Sequence, residues 1–219
     1  MKKILSLTLL IAIFITTSAF AYSITPGDWI KVTTGTGGSY SGYFSGAINV
    51  YETDQYGTSS AFAFQTFCVE FAEHVYVGTP TYVGAIGDSA VAGGSGYSSP
   101  SGDPLSNETK WLYYNFIAGT LAANLFGFTY GNADSYNALQ QAIWFFEQEI
   151  TTPSSSLAQS FITAATGKST SAPVQVMNLL SRPGGELRQD LLILTPEPLS
   201  LILLGFGLLG VAGVRRKIK

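Results

Sequence analysis

Histidine occurs once in this chain and cysteine once. The lone cysteine cannot make an internal disulfide, and the paired Cys or His spacing of a zinc site is missing. Charged residues are scarce too, at 11% of the chain. No paired-carboxylate, Walker or Ser-His-Asp arrangement emerges from so few of them. The run Gly205-Phe206-Gly207-Leu208-Leu209-Gly210 fits a dinucleotide fingerprint on paper. It lies inside an apolar segment with no βαβ context, so it is rejected and no cofactor is expected.

Positive charge is the scarcest commodity in the middle of the chain. Six of the 11 basic residues sit at the two ends. Residues 22–195 keep five basic against 13 acidic side chains, a net charge of −8. A body this acidic is a poor partner for nucleic acid or anionic lipid. It is rich instead in Gly, Ser, Thr, Tyr and Phe, a neutral, hydroxyl-bearing and aromatic surface that suits an extracellular matrix.

Both ends are apolar. Lys2 and Lys3 precede the stretch Ile4–Ile15, and small residues ending Ala19-Phe20-Ala21 follow. That is the pattern of a secretory signal peptide over residues 1–21, with cleavage after Ala21. At the other end Pro196-Glu197-Pro198 leads into 16 apolar residues, Leu199–Val214, closed by Arg215, Arg216 and Lys217. A spanning helix needs roughly 20 residues, so this single hydrophobic helix borrows its flanks. Its basic end stays in the cytoplasm. The order of tripeptide, apolar segment and basic stop resembles the PEP-CTERM sorting tail of exported bacterial proteins. The resemblance implies transient inner-membrane anchoring and cleavage by an exosortase near Pro196, Glu197 and Pro198. The protein then reaches the cell surface or extracellular matrix.

Between the ends, strand patterns come first. Trp29–Thr33, Tyr43–Tyr51 and Ala61–Phe71 read as strands. In the last, Phe67, Val69 and Phe71 share one face, with Thr66, Cys68 and Glu70 on the other. His74–Val77 continues or pairs with it. Residues 87–104 read as a long Gly/Ser/Pro loop. A helix from Ser106 to just before Gly127 carries Trp111, Tyr114, Ala118, Leu121 and Leu125 on one face. A second starts at a cap on Asp134 and a third spans Ser154–Ala165. Strands return at Val174–Leu180 and Asp190–Leu194. Strands before and after a helical insert predict an α+β domain over residues 22–195, with a sheet- or barrel-like body.

Two short stretches carry the candidate chemistry. Thr66-Phe67-Cys68-Val69-Glu70 precedes Gln140-Gln141-Ala142-Ile143-Trp144. Together they resemble the thioester domains of bacterial surface adhesins, in which a strand-end Cys bonds to a helical Gln. The resemblance implies a covalent binding module with Cys68 and Gln140 as its reacting pair. It implies no enzyme, and a partner surface or polymer that bears an amine. The residues alone leave two alternatives open. Cys68 can be a small buried hydrophobe in a non-covalent structural matrix protein, and Gln140 and Gln141 can be solvent-facing. His74, Glu70 and Glu73 lie close to Cys68 in sequence. A Cys-His pair or a metal set drawn from them lacks the spacing that either chemistry needs.

Overall fold

The structure is a computed structural model, and it describes residues 22–74, 76–91 and 102–196. The signal segment and the apolar tail helix lie outside the described residues. Among the described residues no helix is long and apolar enough to cross a membrane.

Ile24–Leu194 form one compact unit. Its strands are β1 (Trp29–Tyr40), β2 (Tyr43–Thr53), β3 (Ser60–Thr66), β4 (Pro80–Gly87), the short β5 (Ser89–Ala90) and β6 (Asp103–Pro104), β7 (Val174–Leu180) and β8 (Leu187–Leu194). Six of them form one antiparallel sheet in the order β3-β2-β1-β4-β7-β8, while β5 and β6 pair separately. Between β6 and β7 come the helices α1 (Asn107–Ile117), α2 (Leu121–Asn124), α3 (Ala133–Phe146) and α4 (Ser156–Ala165). The expected sheet-rich α+β body is therefore what the chain adopts.

The first hairpin shows how local chemistry sets the sheet. Tyr40 pairs with Tyr43 across Ser41 and Gly42, which have φ of 49° and 86°. Two successive positive φ angles match the twist of flanking strands, which is why a small residue and a glycine occupy the loop. Pairing through this hairpin carries β1 on to Tyr40, well past the β-rich stretch that ends at Thr33. The Gly-rich segment Thr34–Tyr40 has weak strand propensity, and tertiary pairing overrides it. A register shift between Thr34 and Gly37 bends this strand opposite Gly46.

Several sequence expectations need correction. β3 stops at Thr66, and Phe67–Phe71 leave regular strand geometry; His74, Tyr76 and Val77 are not strand either. The segment 87–104 is not all loop, since β5 and β6 pair across it. The first predicted helix breaks at Gly119, whose φ of 72° suits a residue just past a helix end. α1 buries Leu112, Tyr113 and Phe116, whereas Tyr114 faces out. Asn132, not Asp134, caps α3 by accepting from the Ser135 N–H at 2.9 Å. β8 begins at Leu187 rather than Asp190.

Helix α3 packs on β1 and β2, with α1 and α4 beside it. Phe67, Phe116, Phe128, Tyr136 and Phe161 form the aromatic centre of the core, with Phe67 and Phe116 in edge contact at 5.0 Å. The two outermost strands of the sheet, β3 and β8, meet through the residues just after β3. Leu192 N–H donates to Phe67 O at 3.2 Å, and Val69 N–H donates to Asp190 O at 3.0 Å. The sheet thus curls until its edges touch.

The bend in β1 depends on Gly46. A Cβ there would meet the Gly37 Cα and sit 2.6 Å from the Thr36 carbonyl oxygen, both backbone groups that cannot rotate away. Gly46→Ala is expected to destabilise the body by about 1–3 kcal/mol, the usual cost of overpacking. Thermal unfolding of the variant checks this, with a lowered Tm as the expected result.

Candidate functional site

Cys68 occupies the point where the sheet edges meet. It forms an isolated antiparallel bridge with Leu191. The bonds on either side of that bridge use Phe67 O and Val69 N–H, not the polar groups of Cys68 itself. In an antiparallel ladder such a residue turns its own N–H and C=O to the opposite side. There the Cys68 backbone faces α3 and no strand. Buried backbone groups need partners, and Gln140 supplies both. Cys68 N–H donates to Gln140 Oε1 at 2.9 Å, and Gln140 Nε2 donates to Cys68 O at 2.8 Å. One side-chain amide thereby stands in for a neighbouring strand.

The neighbouring glutamine has a different task. Gln141 Nε2 donates to Asn137 Oδ1 at 2.9 Å. Its Oε1 accepts from Ser154 N–H at 2.7 Å and from Ser154 Oγ at 3.0 Å, which holds the turn into α4. Both glutamines are fully buried, so neither is a solvent-facing residue. The structure separates them by direction: Gln140 meets Cys68 and Gln141 does not.

Side chains also fix the backbone beyond Cys68. Gln189 Nε2 donates to Glu70 O at 2.7 Å, and Phe71 N–H donates to Glu149 Oε2 at 2.9 Å. The segment then opens onto a cleft of about 200 Å³ lined by Cys68, Tyr43, Phe71, Glu73, His74 and Trp144, among others. Phe71 is the hub of its aromatic wall, in edge contact with Trp144 at 5.1 Å and Tyr43 at 5.3 Å. Strand alternation would have pointed Phe71 away from Cys68. The chain leaves strand geometry after Thr66, so both line the same cleft.

The electrostatics disfavour charge here. Burial, and secondarily the Glu70 carboxyl, pushes the Cys68 thiol up to about 12. Burial also lifts Glu70 to about 10, helped by a hydrogen bond to Glu73 and by the charges of Asp190 and Glu73. Asp190 rises to about 6, again mainly through burial. Carboxyl oxygens of Glu70, Glu73 and Asp190 lie within 4.8 Å of one another. Neither Cys68 nor His74 belongs to that cluster, so the set considered from sequence, Cys68 with Glu70, Glu73 and His74, does not converge. At neutral pH the thiol and Glu70 are protonated.

Residues 194–217 match the PEP-CTERM protein-sorting motif. The PEP-CTERM tail implies an exported chain, sorted at the membrane by an exosortase. It contains Pro196, Glu197 and Pro198, of which Glu197 and Pro198 lie outside the described residues. No curated protein matches the chain. Among solved structures, the chain is similar to the N-terminal domain of the Streptococcus pyogenes pilus tip adhesin Cpa. That similarity has a TM-score of 0.44 and 12% sequence identity, over 81% of this chain and 98% of that chain.

Gln189 and Asp190 escaped the sequence reasoning. Their signal was two adjacent polar residues in the otherwise apolar strand Leu187–Leu194, both buried. Asp190 ties the site to β7 and β5. Its Oδ1 accepts from Leu179 N–H at 3.2 Å, and its Oδ2 accepts from Asn178 Nδ2 and Val91 N–H, each at 2.8 Å.

The raised carboxyls set the pH dependence of stability. An acid whose pKa is higher in the folded state stabilises fully below its unfolded value, and that stability is lost as pH rises towards the folded value. For Glu70 the window runs from 4.5 to about 10, and for Asp190 from 3.8 to about 6. Each proton taken up on folding costs about 1.4 kcal/mol per pH unit within its window. The body is expected to melt at higher temperature at pH 5 than at pH 8. Glu70→Gln should flatten that dependence and raise Tm above the parent at pH 8; Tm measured across the pH range checks both.

Proposed function

We propose that the body is a covalent binding module, in which Cys68 and Gln140 join as an internal thioester that an amine on a partner opens. The observation that carries this is the Gln140 carboxamide held at both its oxygen and its nitrogen on the backbone of Cys68, which itself lines an aromatic cleft. Proximity of this kind converts an encounter into an intramolecular reaction.

The chemistry follows from the atoms. Cys68 Sγ attacks Gln140 Cδ; the Sγ–Cδ bond forms, the Cδ–Nε2 bond breaks, and the thiol proton leaves with the nitrogen as ammonia. The Cys68 N–H already donates to Oε1, where negative charge develops as the carbon becomes tetrahedral. A partner amine later attacks Cδ and forms an amide. Sγ departs and recovers a proton from the amine. The acyl group is spent once, so the protein is a reagent and not an enzyme. Burial excludes water from the bond. It also disfavours a departing thiolate, which protects the thioester until a nucleophile arrives. The amine belongs to a surface protein or a matrix polymer, and the PEP-CTERM tail delivers the module to that setting.

The same hydrogen bonds also suit a second, non-covalent role. Gln140 can be a permanent clamp for the Cys68 backbone in a structural matrix protein, with a thiol whose raised pKa keeps it inert. Intact mass separates the two. The thioester predicts a body lighter by one ammonia, with full mass restored in Cys68→Ala and in Gln140→Ala. Full mass in the parent, with a thiol that reacts only after denaturation, would falsify the covalent module and favour the clamp. Replacing Pro196-Glu197-Pro198 is expected to leave a larger, membrane-retained chain on a gel; unchanged processing contradicts the sorting role.

A further inference from the structure

One polar atom in the cleft wall has nothing to do. The Trp144 indole Nε1 is buried and finds no hydrogen-bond partner among the described residues. Trp144 as a whole is 2% exposed. An unspent donor in such a place costs about 1–3 kcal/mol, which selection for stability alone would remove. Its ring neighbours are Phe71 and Tyr40, at 5.1 and 6.1 Å, and a π face offers an N–H only a weak bond. Trp144 follows Gln140 by four residues on α3, so the two side chains rise from one face of the helix. Trp144 and Cys68 both line the cleft.

We propose that the Trp144 indole N–H is the second donor of an oxyanion hole, held in reserve for the Gln140 acyl oxygen. Among the described residues that oxygen accepts from Cys68 N–H alone. When sulfur or an incoming amine adds to Cδ, the C=O π pair moves onto the oxygen, which becomes an alkoxide and takes a second hydrogen bond. When the carbonyl re-forms, the leaving group departs with its electron pair, and the indole proton never moves. Burial strengthens such a donor, because no water competes for the charge. This assignment rests on the thioester of the preceding section and adds the residue that accelerates both its formation and its opening.

The test replaces the N–H and keeps the ring. Trp144→Phe, and an isosteric variant in which a benzothienyl side chain carries sulfur in place of N–H, are made in the full-length chain. Methylamine is the probe, and intact mass follows the rate at which the thioester is converted to the methylamide. Loss of one oxyanion donor is expected to slow capture by about 100-fold, at saturating methylamine as well as at low concentration. Tm should be unchanged or higher, because a buried unspent donor has gone. Capture at the parent rate in the isosteric variant overturns the assignment. So does a loss of capture that appears only together with a lowered Tm, since that marks Trp144 as packing alone. If Trp144→Phe does not fold, the isosteric variant decides. A parent chain of full mass sinks the thioester and this donor with it; a parent carrying the mass deficit, with variants equally fast, sinks only the donor.

Discussion

The site depends on one doubly bonded contact, the Gln140 carboxamide on the backbone of Cys68. It exists because a residue in an antiparallel bridge turns its N–H and C=O away from its ladder partner. With α3 on that side instead of another strand, only a side chain with both a donor and an acceptor can satisfy the pair. The Gln140 amide does so without carrying charge. Removing it would leave two buried backbone groups without partners, so position 140 is constrained by folding before any chemistry is considered. That constraint also fixes the Gln140 carboxamide against the backbone of the cysteine.

The surroundings keep this contact dry and uncharged. Phe71 and Trp144 wall the cleft, and Gln189, Glu149 and Asp190 hold the irregular segment that carries Cys68 in place. Burial holds the Cys68 thiol and the Glu70 carboxyl in their protonated forms. The thiol that meets the Gln140 carboxamide is therefore neutral at rest.

The order of strands, helices and strands was legible because hydrophobic periodicity and the terminal targeting patterns are local properties. So was the nearness of Gln140 to Cys68, through the resemblance of two short motifs. What periodicity could not show was tertiary. β1 runs through Thr34–Tyr40 because β2 pairs with it, against the weak propensity of a Gly-rich segment. β3 ends at Thr66 because the next residues turn to β8, which no alternation pattern foretells. The helix breaks at Gly119, and α1 buries Leu112, Tyr113 and Phe116 rather than Trp111, Tyr114 and Ala118. Asp190 and Gln189 stayed hidden because they lie some 120 residues from Cys68 and act only once the sheet has curled.

The seam between the sheet edges has a mechanical meaning. β8 is the last strand before the C-terminal tail, and it touches the segment that holds Cys68. Tension applied to the end of β8 reaches α3 through the bonds that Leu192 and Asp190 share with Phe67 and Val69, and then through the Gln140 carboxamide on Cys68. A load would be borne as shear along β8, against its ladder with β7 on one side and the Cys68 segment on the other.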